Sequence, residues 1–315
     1  MIASLRSLLS VGRHLGGWLR VRPAPASGAD DPQAIDAMRR AREARQAGRV
    51  EETRTLYRYV LQRWPAHPEA LRGLRDFAIE ARDWDEAVAI QQRLLDAAPL
   101  ADRAAESEWL AVTHYELGRL ELARQDPAAA LTHLKAALRA DRDFLPAALA
   151  LGDAHEAAGD HREAVRTWER AAETRPVLPL LVRLERVYRR EDRPSRMIAL
   201  YRAASARLPD DLGLAAALGR VYFELEMLDE AAEQFEKLEV RAPDLPVVHA
   251  FLGAVFERRG QSRAAFEEYR RALRLGHGFD WPHRCQACSA AAPLWQDRCP
   301  QCHRWNTLHP FSPTR

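Results

Sequence analysis

The stretch of sequence that decides the fold is residues 252–273, LGAVFERRGQSRAAFEEYRRAL. Leu252 and Gly253 lie in a first helix, Gly260 turns the chain, and alanines spaced around Tyr269 share one face of a second helix. Small residues let two helices approach closely, and the larger side chains fill the space between them. The stretch therefore predicts two helices that pack against each other across a short turn.

The same pattern returns along the chain at intervals of about 34 residues. Proline marks most of the units, at Pro65, Pro99, Pro176, Pro209 and Pro243. The long gap between Pro99 and Pro176 holds two repeat lengths and an insertion of about nine residues. Arg142 takes the place of the proline inside this gap, and counting on from Pro243 reaches His277. Seven units can be aligned on these marks.

Within the units, a Leu-Gly pair recurs in the first helix. It stands at Leu117-Gly118, Leu151-Gly152 and Leu218-Gly219, while the first two units match more loosely. The proline ends the second helix because it lacks an N–H group and its ring clashes with the preceding turn. On these residues, the chain resembles the tetratricopeptide repeat over residues 34–277.

Stacking of the repeats follows from their burial requirement. One helix pair cannot bury its apolar face alone, so neighbours stack into a superhelix whose concave groove binds peptides or protein surfaces. The sequence therefore predicts an all-α fold for this part, with its aromatic residues as core packing. The inserted residues 101–109 predict a longer first helix or a bent connection.

All four cysteines lie near the C-terminus, in two C-x-x-C pairs separated by ten residues: Cys285, Cys288, Cys299 and Cys302. Two such knuckles face each other readily and place four thiolates around one metal ion. Zinc is the predicted metal, with iron as the alternative. Two disulfides, or a thioredoxin-like redox pair, are the other interpretations of C-x-x-C. Four thiolates fill the coordination shell, so the metal is predicted to be structural, and His283 and His303 are predicted not to bind it.

The tail also resembles a known family. The resemblance is carried by Arg284, Cys285, Cys288, Trp295, Cys299, Pro300, Cys302, Trp305, Thr307 and Pro310. These residues are similar to the rubredoxin-like domain of the bacterial lipopolysaccharide assembly protein B family, in which an N-terminal membrane element and tetratricopeptide-like repeats precede the metal module. Ser289 stands where such modules commonly have glycine. We expect Trp295 and Trp305 to cover the metal site and dock the module on the last helix.

The resemblance implies a role as well as a fold. Members of the family sit at the cytoplasmic face of the inner membrane. They act as adaptors through which a membrane-bound ATP-dependent protease controls the deacetylase that commits carbon to lipid A. The protease and its deacetylase client are therefore the implied partners. Only the four cysteines carry over residue by residue.

The N-terminal residues 1–22 differ from the rest of the chain. Leucines and Trp18 fall on one side of a helical wheel, Arg6, Arg13 and Arg20 fall on the other, and no acid precedes Asp30. This pattern is typical of a helix that lies on an anionic membrane surface. A disordered start and a helix packed on the repeats are the alternatives. A linker, 23–33, follows; the repeats occupy 34–277 and the metal-binding domain 278–315.

Composition and motifs narrow the range of functions expected of the chain. The 47 basic and 45 acidic residues leave a net charge of +2, which is not the charge of a nucleic-acid-binding surface. No phosphate-binding, zinc-protease or serine-hydrolase motif occurs, so we expect no enzymatic activity. His155 and the Glu267-Glu268 pair are predicted to be ordinary exposed residues. We therefore expect a cytoplasmic adaptor. A generic repeat scaffold is the alternative, and nucleic-acid binding is a distant third.

Overall fold

A computed structural model describes residues 28–275 and 283–310 of the chain, which form fourteen helices and three short strands. The helices are α1 (Pro32–Gln46), α2 (Val50–Arg63), α3 (Pro68–Glu80), α4 (Trp84–Ala97), α5 (Arg103–Ala123), α6 (Pro127–Ala140), α7 (Leu145–Ala157), α8 (His161–Thr174), α9 (Leu178–Arg190), α10 (Pro194–Arg207), α11 (Leu212–Glu224), α12 (Leu228–Arg241), α13 (Pro246–Arg258) and α14 (Ser262–Leu275). The strands are β1 (His283–Cys285), β2 (Ala291–Ala292) and β3 (Leu308–Pro310).

Consecutive helices form seven pairs, and the predicted register is correct. Each repeat-marking proline lies two residues beyond the end of a second helix: Pro65, Pro99, Pro176, Pro209 and Pro243. Arg142 follows the end of α6 at the same spacing. The prolines therefore act as stops after the second helix, as their missing N–H requires.

The chain divides into two compact units, Met1–Glu106 and Ser107–Arg315. The first unit has a core of its own, centred on Met38, Tyr57 and Leu71. In the second unit, the largest cluster of buried side chains surrounds Trp168 and Tyr201. Each core lies between the helices of neighbouring repeats, which is how a helical repeat buries an apolar face that a single pair would expose.

A residue with positive φ makes the turn inside every repeat. Glycine does so in three repeats, at Gly48, Gly159 and Gly260. In the other four the residue is Arg82, Gln125, Asp192 or Glu226, with φ between 52° and 62°. A side chain in this left-handed region costs free energy that glycine avoids. The common turn is therefore a property of the repeat geometry and not of one residue type.

Close approach of the two helices explains the Leu-Gly pair. Trp168 is fully buried, and its ring lies against Gly152 of the partner helix. A Cβ atom at Gly152 would come within 2.0 Å of the Trp168 ring nitrogen. The indole N–H donates to the backbone carbonyl of Leu149 at 3.3 Å. Only glycine leaves room for so large a side chain at this position.

Two repeats replace this glycine with a buried charged residue. Glu185 of α9 accepts hydrogen bonds from Tyr201 in its own repeat and from Arg220 in the next, both at 2.6 Å. Arg75 of α3 contacts Gln91 of α4 at 3.1 Å in the same way. In these two repeats, hydrogen bonds take the place of the contact that glycine makes with a large side chain elsewhere.

The Glu185 network gives stability a defined dependence on pH. Burial raises the pKa of Glu185, but hydrogen bonds from Arg220 and Tyr201 outweigh it and hold the pKa at about 2. A folded-state pKa below the unfolded value stabilises the fold above about pH 4.5, and this stability is lost as pH falls toward 2. We expect Glu185→Gln to abolish about 3 kcal/mol of pH-dependent stability. Urea unfolding at pH 6 and pH 3 should detect about 2 kcal/mol of it, because the folded-state carboxylate is still mostly ionised at pH 3. An unchanged pH dependence in the variant would contradict the assignment.

The insertion lengthens a first helix, as one of the two sequence interpretations predicted. Helix α5 has 21 residues, whereas α7 has 13. The added turn carries Glu106, which is buried and accepts hydrogen bonds from Arg72 and from Gln91. The inserted residues thus complete the polar network of the first unit.

Among the described residues, every helix is too short or too polar to cross a membrane. The predicted surface helix at residues 1–22 and the first part of the predicted linker, residues 23–27, lie outside the described residues.

Candidate metal centre and its seat on the repeats

The C-terminal ribbon, residues 283–310, is a small antiparallel sheet with two knuckles. Strand β1 lies between β2 and β3. In register, His283 faces Ala292 on one side and Pro310 on the other. Each knuckle brings a C-x-x-C pair to the same end of the sheet, so local chain geometry positions the cysteines.

The structure gathers the four cysteines that the sequence predicts as ligands. Their sulfur atoms all lie within 4.8 Å of one another. Across the two knuckles, Cys285 is 3.6 Å from Cys302, and Cys288 is 3.7 Å from Cys299. Neighbouring sulfurs in a tetrahedral centre with metal–sulfur bonds of about 2.3 Å lie about 3.8 Å apart. The sulfurs therefore have the spacing of a metal site and are too far apart for disulfides.

Hydrogen-bond donors surround the sulfur atoms. The backbone N–H of Ala287 donates to the Cys285 sulfur at 3.4 Å, and the Thr307 hydroxyl lies 3.2 Å from the same sulfur. Burial raises the pKa of Cys285, but the contacts with Thr307 and the N–H groups of Cys288 and Ala287 prevail and bring it to about 6. The Cys285 sulfur therefore favours thiolate, the form that binds metal. For Cys288, the Ala290 N–H lowers the pKa, but desolvation and contacts with the other three cysteines prevail and raise the pKa to about 12.

The residue after each knuckle adopts the same strained conformation. Ser289 follows Cys288 with φ 60°, and His303 follows Cys302 with φ 58°. Both backbone N–H groups donate to the carbonyl of the first cysteine of their knuckle, at 2.8 and 3.0 Å. Ser289 thus occupies a position that glycine would adopt at lower cost. The cluster around the sulfurs contains the four cysteines and neither His283 nor His303.

A second group of potential ligands, Glu239, His249 and Glu268, lies between the last two repeats, where the sequence predicted none. His249 is buried, and its Nδ1 lies 2.7 Å from the Glu268 carboxylate while Nε2 lies 2.7 Å from the Pro243 carbonyl. Arg271 donates to Glu268 at 2.9 Å. A guanidinium already neutralises the carboxylate, so the group is a structural ion cluster. The prediction that Glu268 is exposed is wrong, because the side chain turns toward α13.

His155 also differs from its prediction. The residue is buried near the end of α7, and its Nδ1 atom has no hydrogen-bond partner. The prediction of an exposed turn residue failed because α7 is packed on nearly all sides. Burial lowers the pKa of His155, which keeps the ring neutral.

The ribbon is seated on the first helices of the third and fourth repeats. Trp305 packs edge-to-face against Tyr115 and Phe144, with ring centroids 5.7 and 6.4 Å apart. Tyr115 and Phe144 also pack against each other at 5.4 Å. The prediction that the ribbon docks on the last helix is therefore wrong for Trp305. Its actual seat is an aromatic pair far from the ribbon in sequence.

Polar contacts fix the orientation of the ribbon. The Tyr115 hydroxyl donates to the Asp297 carboxylate at 2.7 Å, and Arg119 approaches the same oxygen at 3.3 Å. Burial, together with the Asp297 charge, raises the pKa of Tyr115 far above its usual range. Asn306 lies 3.5 Å from the Asp143 carbonyl. Because its pKa is raised, the Tyr115 hydroxyl keeps its proton and remains a donor at all ordinary pH values.

Trp295 contacts both the metal site and the repeats. The sequence predicted the contact with the metal site. Its ring packs against the cluster that contains Cys285 and Cys299, and also against the core cluster of the second unit. Folding of the ribbon around its cysteines therefore also forms the surface that meets the helices.

Loss of the Tyr115 hydroxyl tests the seat. We expect Tyr115→Phe to weaken ribbon docking by about 1.5–3 kcal/mol, because the Asp297 carboxylate loses a partly buried donor. Hydrogen exchange of the 283–310 amides should become faster while the helical amides keep their protection. Tyr59→Phe, at an exposed tyrosine, is the control. Equal exchange in both variants would refute the role of the hydroxyl.

Comparison with known families agrees with this arrangement. Residues 283–310 match the rubredoxin metal-binding domain, the zinc ribbon of lipopolysaccharide assembly protein B. Residues 44–111 and 115–178 match two tetratricopeptide repeat families. The chain has the domain composition of the lipopolysaccharide assembly protein B family. The resemblance inferred from the tail is thereby confirmed, and so is the fold class: all-α tetratricopeptide repeats with a C-terminal rubredoxin-like ribbon.

Solved structures resemble part of the repeat region. MamA from Desulfovibrio magneticus RS-1 is 23% identical, with 52% of this chain and 94% of MamA covered and a TM-score of 0.39. YrrB, described as a tetratricopeptide repeat protein with an unusual peptide-binding site, is 19% identical, with 56% and 90% covered and a TM-score of 0.37. No curated protein matches the chain.

Together, the repeats and the ribbon form the scaffold of a protein-interaction adaptor with a metal-binding site.

Proposed function

We propose that Cys285, Cys288, Cys299 and Cys302 hold one zinc ion. The spacing of their sulfurs fits a tetrahedral four-thiolate shell, which is closed and leaves no position for substrate. Bound zinc supplies folding free energy, on the order of 10 kcal/mol in comparable modules. Residues 283–310 are too few to fold on an apolar core alone. The metal's role in this proposal is architectural.

The proposed activity is that of a non-enzymatic adaptor. The observation that carries it is the seat of the ribbon, in which Trp305 packs on Tyr115 and Phe144 while Asp297 accepts from Tyr115. These contacts hold two recognition surfaces, ribbon and repeats, in a fixed relation. Such a rigid composite surface suits the simultaneous binding of protein partners and loses little entropy on association.

The specific role we propose is control of lipopolysaccharide synthesis. In this proposal the chain brings the lipid A deacetylase to a membrane-bound ATP-dependent protease at the cytoplasmic face of the inner membrane. The domain composition supports it, because the ribbon is that of the assembly protein B family. Residues 1–22 would bind the membrane peripherally through their basic amphipathic face. The repeats, residues 34–277, would hold the client.

A generic cytoplasmic scaffold for another assembly is the second candidate. The repeat matches support it equally, because a stack of helical repeats presents a concave binding surface without specifying the partner. The two candidates differ in partners and not in fold.

The test is the lifetime of the deacetylase in the cells that contain this protein. We expect deletion of the gene to prolong that lifetime several-fold, and an intact copy to restore it. A copy with Trp305→Ala should fail to restore it, although the helical repeats remain folded. The full chain should also co-purify with both proteins after crosslinking. An unchanged lifetime together with recovery of neither protein would overturn the lipopolysaccharide role.

A further inference from the structure

A row of arginines follows the side of the first helices that carries the ribbon seat. We call this side, formed by α5, α7, α9 and α11 of the second unit, the groove face. Arg186 and Arg190 of α9 both bind Glu156 of α7. Arg189 of α9 binds Glu224 of α11 as well as Glu185. The fourth repeat is therefore linked to the fifth, and the fifth to the sixth, by ion pairs across the groove face.

In these pairs, the two partners differ in their exposure to solvent. The side chains of Arg186 and Arg190 are 52% and 55% exposed, whereas that of Glu156 is 23% exposed. Arg189 is 48% exposed against 8% for Glu185. The carboxylates are recessed and the guanidinium groups point outward. Although the pairs are neutral in sum, the surface offers mainly N–H donors to a partner.

A pocket lies on the same face, between the ribbon and the helices. It has a volume of about 250 Å³. Its walls include Tyr115, Leu149 and Trp295, with Arg119 at the rim. This volume suits one large apolar side chain, and aromatic walls favour an aromatic ring.

Arg119 is half exposed and retains unused donors. Among the described residues, its Nη1 atom lies 3.3 Å from the Asp297 carboxylate and 3.7 Å from that of Glu116. The guanidinium has five N–H groups, so several remain for an incoming anion beside the pocket. The pocket is also lined by the ion pairs of Arg183 with Asp153 and of Arg119 with Asp297, so its apolar walls stand beside two guanidinium groups and two carboxylates.

We infer that the groove face binds an extended acidic peptide segment of a client, with one large apolar or aromatic side chain inserted in the pocket beside Trp295. The inference rests on the proposed adaptor role and names the chemistry of the segment that the adaptor recognises. The acidic side chains pair with Arg119, Arg186 and Arg190 along the helices. The ribbon takes part directly, because Trp295 forms a wall of the pocket.

Nucleic acid is a less suitable occupant of this face. A phosphate chain carries a charge on every nucleotide and needs a continuous basic track, which the interspersed carboxylates of Glu156 and Glu224 interrupt. An acidic peptide can space its few charges to match the separate guanidinium groups. A single pocket also lacks the series of exposed aromatic platforms on which successive bases stack.

The test uses the purified full chain and a short fluorescent peptide rich in Glu and Asp with one central tryptophan. We expect saturable binding that weakens as salt is raised. A peptide with Lys in place of every acid should bind at least tenfold more weakly, and alanine in place of tryptophan should also weaken binding about tenfold. The double variant Arg186→Gln/Arg190→Gln should lose about tenfold in affinity. Its matched control is Arg166→Gln/Arg170→Gln, at the same spacing on α8.

A second variant separates the pocket from the charges. Ala150 lines the pocket, so Ala150→Leu should remove the preference for tryptophan and leave the dependence on acidic residues. Thermal unfolding verifies that each variant is folded. Equal binding of the acidic and basic peptides, or tighter binding of a single-stranded oligonucleotide, would overturn the inference. Absence of peptide binding by a chain that still co-purifies with its protease would overturn this inference alone and leave the proposed function standing.

Discussion

Cys285→Ser is expected to abolish metal binding and unfold the ribbon while the helices remain folded. With one thiolate fewer, the coordination shell of the metal is incomplete. In comparable modules, metal binding supplies about 10 kcal/mol of folding free energy. Residues 283–310 are too few to fold without it. The amides of this segment should then exchange with solvent at the rate of an unfolded chain. Far-ultraviolet circular dichroism should retain the helical signal, because the helices have separate cores.

Gln286→Ser is the matched control for this variant. Gln286 lies next to Cys285 in the same knuckle, and its side chain is exposed. The substitution places the same new residue one position away without removing a sulfur. It should keep the metal and the amide protection of the ribbon. Retention of a protected ribbon in Cys285→Ser would show that the metal does not hold the ribbon folded.

Trp168→Ala is expected to destabilise the second unit by about 3–5 kcal/mol. The ring is fully buried against Gly152, and its N–H binds the Leu149 carbonyl. Removing it leaves a cavity between two helices that cannot close without moving the next repeat. Urea denaturation, followed by circular dichroism, measures the free energy of unfolding.

Phe266→Ala provides the comparison for the Trp168 prediction. Phe266 is an aromatic residue of the same unit, also on a second helix, but it is exposed. Its removal should change the free energy of unfolding by no more than about 0.5 kcal/mol. Equal effects of the two substitutions would mean that the stability of the repeats does not depend on the packing of the Trp168 ring against Gly152.

The repeat register could be predicted because its determinants are local. Proline is excluded from helix interiors, so Pro176 and Pro243 mark breaks between helices without knowledge of the fold. The grouping of the cysteines is equally local, because each knuckle needs only four residues. Burial of His155 was missed for a different reason. An amphipathic pattern does not identify a helix such as α7 that is covered on nearly all sides.

The seat of the ribbon could not be predicted from the sequence. Tyr115 and Asp297 are 182 positions apart, and no local pattern pairs one tyrosine with one aspartate over that separation. By contrast, the sequence did carry a signal for the buried polar network around Glu185. In the repeat alignment, Glu185 occupies the position where other units have glycine, and a charge at that position requires buried partners.

We propose that a metal ion held by four cysteines folds the ribbon onto the repeats. Native mass spectrometry of the full chain, purified without added metal under anaerobic conditions, tests it most directly. The predicted result is one zinc ion per chain, lost in Cys285→Ser and kept in Gln286→Ser. A metal-free chain of full mass, or a chain whose mass corresponds to two disulfides, would contradict it.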